Sequence, residues 1–450
     1  MAFSPHAYRP ATDLLDLGPA FWDPVAAADF PQTILRFRND RAAAEVGLDT
    51  LSQAEWIDHL ARFRPLPGSL PEPLALRYHG HQFRNYNPDI GDGRGFTFAQ
   101  VRDVRGRLMD LGTKGSGQTP YSRFGDGRLT LKGGVREVLA TEMLEALGVP
   151  TSRTLSLVET GEALHRGDEP SPTRSAVLVR LNHSHVRIGT FQRLAYERDE
   201  ASMRTLVEYV LTRLLDEPGD DPARLLALVV ERTARLAGRY MGAGFVHGVL
   251  NTDNINVTGE SFDYGPWRFA PTWDAGFTAA YFDHAGLYAF GRQPEAIGWD
   301  TMQLASSLRL IAESAPLVAA LEGFAPAFEA AVTEAVLWRL GVRPRDAASD
   351  RALAGAVEQA LANTGVPIDR FFHDAFGGVA PDGAAWDGLR AALVGYEPRK
   401  GRDDAYWSGE PCSMLIEEVE AIWAPIADAD DWSAFEAKVA AVRAMGAALG

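Results

Sequence analysis

An α+β fold of two unequal lobes is what the order of patterns along the chain predicts: a small strand-rich lobe containing one helix, then a larger helical lobe. Three observations carry this. Strand-like runs cluster between residues 86 and about 190, a single amphipathic helix pattern interrupts them, and helical periodicity dominates from about residue 195 onward. That order is the order of a protein-kinase-like bilobal fold. A chain of 450 residues has room for it.

Taken in order, residues 1–85 mix short helical patterns with Pro-rich joints such as RPLPGSLPEP, and read as an extension packed on the core. Residues 86–190 read as the small lobe. GFTFAQVRDVRGRLMDLGTKG is two β-rich runs about an Arg-Gly turn, hence a hairpin. GGVREVLATEMLEALG carries apolar residues at helical spacing and stops at Gly148-Val149-Pro150. SRTLSLVETGE and RSAVLVRL supply two further strands. Residues 191–450 read as the helical lobe, with MRTLVEYVLTRLLDE, DPARLLALVVERTARLAGRYMGAG, WDTMQLASSLRLIAES and an Ala-rich tail.

Composition narrows the function. An apolar share of 46% and a charged share of 23% are those of a globular protein. A formal charge of −16 argues against a general nucleic-acid binder but leaves room for a nucleotide in a local basic pocket. Cys412 is the only cysteine, so neither an intrachain disulfide nor a Cys-based zinc site can form. The start MAFSPHAYRPATDLLDLGPAF lacks a basic segment followed by an apolar run. No stretch approaches the roughly 18–20 uninterrupted apolar residues of a membrane span. The expectation is a soluble cytoplasmic protein without membrane or nucleic-acid partners.

The chemistry concentrates in a few short stretches. DIGDGRGF sets Gly91, Gly93 and Gly95 on a turn whose backbone N–H groups can meet phosphate oxygens, with Arg94 adding charge. Lys114 ends a strand pattern and Glu137 lies in the following helix, the order in which a kinase pairs a lysine with a glutamate against nucleotide phosphates. PYSRFGDGR adds a second turn with Asp126 and Gly127. Arg180 and Arg187 flank a strand end and are suited to grip a polyphosphate in bidentate fashion. Each feature alone also fits a plainer role: a tight hairpin, a surface pair, solvated arginines.

FVHGVLNTDNINVTGESFDYGP is the most telling stretch. His247, Gly248, Leu250, Asn254 and the Asp263-Tyr264-Gly265 turn fall in register with a kinase catalytic loop and its metal-binding turn, yet Val249 stands where the catalytic Asp belongs. Asn254 and Asp263 are hard oxygen ligands suited to Mg²⁺ or Mn²⁺. Asp253, beside Asn254, is the candidate replacement base, against a simple role as a turn former. His247 reads as a brace for the loop, and His79 and His81 in RYHGHQF as hydrogen-bonded structure without metal-ligand spacing.

Together, GHQF…YNPDIGDGRG, DLGTKGSGQTPYSRFGDGR, VREVLATEMLEALGVPTSRTLSLVETGE, SHVRIGTF and HGVLNTDNINVTGESFDYGP resemble the SelO (YdiU-like) family of protein adenylyltransferases, from the N-terminal extension to about residue 310. The resemblance implies a kinase-like fold that binds ATP flipped and moves AMP, or in some members UMP, to protein hydroxyls, the enzyme itself among the acceptors. It implies nucleotide contacts from Gly91, Gly93, Arg94, Lys114, Asp126, Gly127, Arg180, Arg187 and Asp263. It further implies a divalent cation on Asn254 and Asp263, and Asp253 as proton acceptor. Two departures stand out: Gln118 where a basic residue is expected, and LTLKGGVRE in place of an Arg-Ser-Ser-like run. With Cys412 alone, the redox latch of many members cannot operate intramolecularly. A γ-phosphate-transferring kinase and a non-catalytic nucleotide-binding scaffold remain the rival readings.

Overall fold

The computed structural model describes residues 8–167 and 169–450. The first seven residues of the N-terminal stretch read above lie outside them. The hairpin forms as its pattern predicts, Thr97–Arg102 against Leu108–Lys114. Its turn is set by Asp103, whose carboxylate accepts from the backbone N–H groups of Arg105 and Arg107 at 2.9 Å each. Arg153–Leu164 and Thr173–Asn182 pair antiparallel beside it.

The sheet is wider than the strand-like runs between 86 and 190. Its order is Trp22–Pro24, Leu74–Leu76, Thr97–Arg102, Leu108–Lys114, Thr173–Asn182, Arg153–Leu164, Ile34–Arg38. Both edge strands therefore come from the first 85 residues. Leu129–Thr130 pairs alongside Thr173–Asn182 and leads directly into the helix Leu131–Ala146. Thr130 caps that helix by accepting from the Gly133 N–H at 3.1 Å. Gly134 lets the helix lie close on the sheet: a Cβ there would sit 2.4 Å from Leu157 Cδ1. The LKGG departure thus serves helix–sheet contact.

The large lobe is built on Pro222–Ala243, capped by Asp221 with Pro at its first turn, and on Phe324–Leu340 packed against it. Gln293–Leu308 meets the strand before the loop through Gln293, whose Nε2 donates to the Phe245 carbonyl at 2.8 Å. Small strand-rich lobe and large helical lobe together make the kinase-like architecture. Against the expectation that no stretch approaches a membrane span, one helical stretch, Ser314–Leu340, is long and apolar enough by length and composition. It breaks into two helices at Glu322-Gly323, and its Arg339 reaches the Gly242 carbonyl and Asp369 inside the lobe, at 3.0 and 2.8 Å.

The last two helices, Ile416–Ala429 and Ser433–Leu449, return to the small lobe. Arg443 grips the buried Glu142 of the small-lobe helix through two contacts, 2.7 and 2.8 Å. Lys132 meets Glu420 at 2.7 Å, Arg174 meets Asp430 at 2.7 Å, and Phe435 packs edge-on against Phe37. The tail is a strap across the back of the nucleotide lobe.

Candidate active site

Lys114 leaves the end of its strand with its ammonium buried, 2.5 Å from Glu137 Oε2 and 2.9 Å from Asp263 Oδ1. Arg180, from the neighbouring strand, reaches the other oxygen of Glu137 at 3.5 Å and Asp263 Oδ1 at 3.4 Å. Two cations and two carboxylates thus share one cluster. Burial alone would raise the Asp263 carboxyl, but Lys114, Arg180 and Arg94 outweigh it and hold it well below the usual carboxylate range. Asp263 is therefore anionic, with a side chain 29% exposed toward the cavity, and its backbone takes the left-handed φ of +63°. Such a conformation in a non-glycine residue is strained, and strain of this kind gathers at functional sites.

Arg187 is buried more deeply still. Its guanidinium lies 4.1 Å from the Tyr78 ring centre and 4.9 Å from that of Phe262, while Arg180 lies 5.2 Å from the same Phe262 ring. It contacts Asp92 Oδ1 at 3.4 Å and donates to the Asp253 main-chain carbonyl at 3.2 Å. Arg180 Nε donates to His185 Nε2 at 3.3 Å, and burial lowers the affinity of that imidazole for a proton, so it serves as a neutral acceptor.

The candidate catalytic turn is a short helical turn, Thr252–Asn254. Val249, half-buried, offers no side-chain chemistry, but its carbonyl accepts from Asn254 Nδ2 at 2.9 Å. That bond turns the amide so that Oδ1 is the end available to a cation. Asn254 Oδ1 and the Asp263 carboxylate are both hard oxygens, a donor pair that fits Mg²⁺ or Mn²⁺ completed by phosphate and water. Among the described residues, no group of three or more His, Cys, Asp or Glu forms a cage for a metal. Asp253 is buried with Oδ1 lacking any hydrogen-bond partner, and burial, partly offset by Arg187, pushes its carboxyl up to about 6. A carboxyl poised there suits proton acceptance near neutral pH.

Gly91, Gly93, Arg94, Lys114, Asp126, Gly127, Arg180, Arg187, Asp253 and Asp263 all line one cavity of about 720 Å³; Asn254 follows immediately on its floor turn without lining it. Glycine is required at the phosphate turn: a Cβ at Gly91 would lie 2.4 Å from the Tyr121 ring, and one at Gly95 2.0 Å from the Thr113 carbonyl. Asp126 is not a free carboxylate; Arg166 holds it at 2.8 Å. His247 is a brace: its N–H donates to Gln293 Oε1 and its Nε2 bonds the Phe262 carbonyl, both at 3.0 Å.

Several contributors escape sequence reasoning. The hairpin Gly80–Gln82/Asn85–Asn87 cradles the catalytic turn, with the His81 N–H donating to Thr252 Oγ1 at 2.7 Å and the Phe83 N–H to Asn251 Oδ1 at 3.0 Å. Gln192 accepts from Thr252 Oγ1 at 2.6 Å and bonds His81 Nδ1 at 2.7 Å. Asp300, buried with both carboxyl oxygens unpartnered, is pushed well above the usual range by burial and then by Asp253. Its signal was available: an acidic residue at helical spacing between Ile297 and Leu304, on the stripe that the helix buries.

A lysine–glutamate pair tied to a strained aspartate, beside a loop with Val249 where a kinase carries its base, defines a kinase-like enzyme. The family described as "Protein adenylyltransferase SelO" matches residues 4–379. Relatives named "Protein nucleotidyltransferase YdiU" include one from Synechocystis sp., 43% identical over 95% of this chain and 96% of its own, and one from Gloeobacter violaceus, 44% identical over 95% and 93%. The chain belongs to the SelO family of protein adenylyltransferases. A Toxoplasma gondii rhoptry antigen kinase domain overlaps 59% of this chain and 83% of its own at 14% identity with a TM-score of 0.29; the kinase-like reading rests on the Lys114–Glu137–Asp263 arrangement instead.

Proposed function

We propose that this protein transfers AMP from ATP to Ser, Thr or Tyr hydroxyls of proteins, itself included, releasing pyrophosphate. One observation carries the reading: Val249 fills the position of the kinase base, while the buried carboxyl of Asp253, its Oδ1 without a hydrogen-bond partner, stands one residue from the candidate cation ligand Asn254. Asp253 accepts the hydroxyl proton. The freed oxygen then bonds to the α-phosphorus, and the bond to the β-phosphate oxygen breaks with its electron pair leaving on pyrophosphate. Lys114, Arg180 and Arg187 neutralise the departing phosphates, so positioning and charge supply most of the rate. Asn254 and Asp263 would hold Mg²⁺ or Mn²⁺, whose charge, when bound, offsets that of the phosphates. UTP is the alternative donor and the cytoplasm the proposed compartment.

The test is the position of the label. Label from [α-³²P]ATP should enter protein, and a modified peptide should gain the mass of AMP on a hydroxyl residue. Label from [γ-³²P]ATP should appear only in pyrophosphate. Protein labelled from the γ-position would make the enzyme a kinase; no transfer from any nucleotide with either cation would leave a scaffold.

A further inference from the structure

Among the described residues, Phe124 is the most exposed large apolar side chain: its ring is fully uncovered, at a relative exposure of 107%, on the wall of the nucleotide cavity. The turn that presents it is firmly built. The Gly125 N–H donates to the Ser122 carbonyl at 2.7 Å, and Arg123 adopts the left-handed φ of +53°. Ser122 Oγ donates to the Gly93 carbonyl and Thr119 Oγ1 to the Asp92 carbonyl. The turn bearing the ring is thereby tied to the phosphate turn by two hydrogen bonds.

The cavity is polarised. Of the residues that line it, Lys114, Arg180 and Arg187 are buried, at 3%, 6% and 2% exposure, while Arg123, Phe124, Gly125 and Asp126 are exposed and form its rim. A nucleoside triphosphate in this space places its charged phosphates among the buried cations, which sends its uncharged planar base toward the rim. The uncovered aromatic ring there is Phe124.

We propose that Phe124 is the platform on which the nucleobase stacks, and that stacking rather than hydrogen-bond readout governs which bases this site accepts. The inference rests on the reading of the cavity as a nucleotide pocket. Stacking tolerates every base, because each has a π-face, and favours the larger purines through greater overlap. Purine triphosphates should accordingly bind more tightly than pyrimidine triphosphates, without a sharp choice among them.

Calorimetry with Mg²⁺ complexes of ATP, UTP and inorganic tripolyphosphate separates the elements of this proposal. Phe124→Ala should weaken ATP on the order of tenfold, weaken UTP less, and leave tripolyphosphate affinity unchanged; Phe124→Tyr should restore ATP binding. Equal loss for ATP and tripolyphosphate would overturn the proposal, because the ring would then merely support the pocket. So would unchanged ATP affinity with a raised KM for an acceptor protein, which would make Phe124 a docking residue. If the wild-type protein bound tripolyphosphate but no nucleotide more tightly, the base platform would fall while the phosphate subsite stood. Binding of none of the three would remove the nucleotide reading itself.

Discussion

Arg187 holds Asp253 by its backbone: the guanidinium Nη1 donates to the Asp253 carbonyl at 3.2 Å, while the Asp253 carboxyl keeps Oδ1 free of any hydrogen bond. The turn is fixed through its main chain and one carboxyl oxygen is left without a partner, a division of labour suited to a proton acceptor. Asp253→Ala should therefore lose transfer by roughly 10²–10⁴-fold and retain nucleotide affinity. Single-turnover α-label transfer set beside calorimetric ATP affinity makes the check, and a wild-type rate would return Asp253 to the role of a turn former.

Asp263 and Asn254 should separate. Asp263→Ala removes the anionic oxygen and also strips Lys114 and Arg180 of a partner, so metal-dependent ATP binding should vanish. Asn254→Ala removes a neutral ligand that water can replace, and a modest affinity loss is expected. Titration of ATP with Mg²⁺ and with Mn²⁺ compares them directly; undiminished affinity in both variants would remove the cation from these two residues.

Gly80 has a specific demand placed on it. A Cβ there would lie 3.0 Å from Asp253 Oδ1 and 3.1 Å from both Asp253 Cβ and Ile90 Cδ1. Gly80→Ala should push the carboxyl aside and lower kcat about tenfold, since ångström-scale misplacement costs up to about 10²-fold, with KM for ATP little changed. A loss confined to KM would contradict this.

The strap should matter to folding. Arg443→Ala leaves the buried Glu142 with weaker contacts, Asn39 at 3.2 Å and Arg41 at 3.4 Å. A stability loss of about 1–3 kcal/mol is expected, read from the denaturant midpoint, with Arg443→Lys recovering part of it.

Acid should loosen the same strap. Asp430 is held down to about 2, first by its hydrogen bond with Arg174, then by Trp432 and Arg36. A depressed carboxyl contributes stability above its unfolded value, near 3.9, and loses it as pH falls toward the folded one. Pepsin, active across that window, should cut the 416–449 segment increasingly between pH 4 and 2. In Asp430→Asn the segment should already be less protected at pH 4, with a shallower further loss; an identical profile in both proteins would exclude Asp430 as an anchor.

Much of this was legible because it is local. The hairpin, the helix after it and the two long strands each announce themselves by period within a dozen or so residues, and Val249, Asp253, Asn254 and Asp263 lie within one short stretch. The sheet edges were not. Trp22–Pro24 is a three-residue strand, and Ile34–Arg38 owes its place to Arg153–Leu164 far along the chain. Nor was the cradle: His81 and Thr252 are 171 residues apart, and nothing in GHQF names its partner. The final helices read as an undistinguished tail because their anchors are single charged residues, such as Arg443, whose counterpart Glu142 is one of three glutamates in its helix and carries no mark of a distant partner.

The return of the strap to the small lobe also sets a clock on the newborn chain. Glu142 is synthesised 301 residues before Arg443. At roughly 5–20 residues per second, that interval lasts about 15–60 s. Throughout it, the helix that carries Glu137 lacks the Arg443 clamp on Glu142. The small-lobe helix is thus made well before the segment that clamps it from behind.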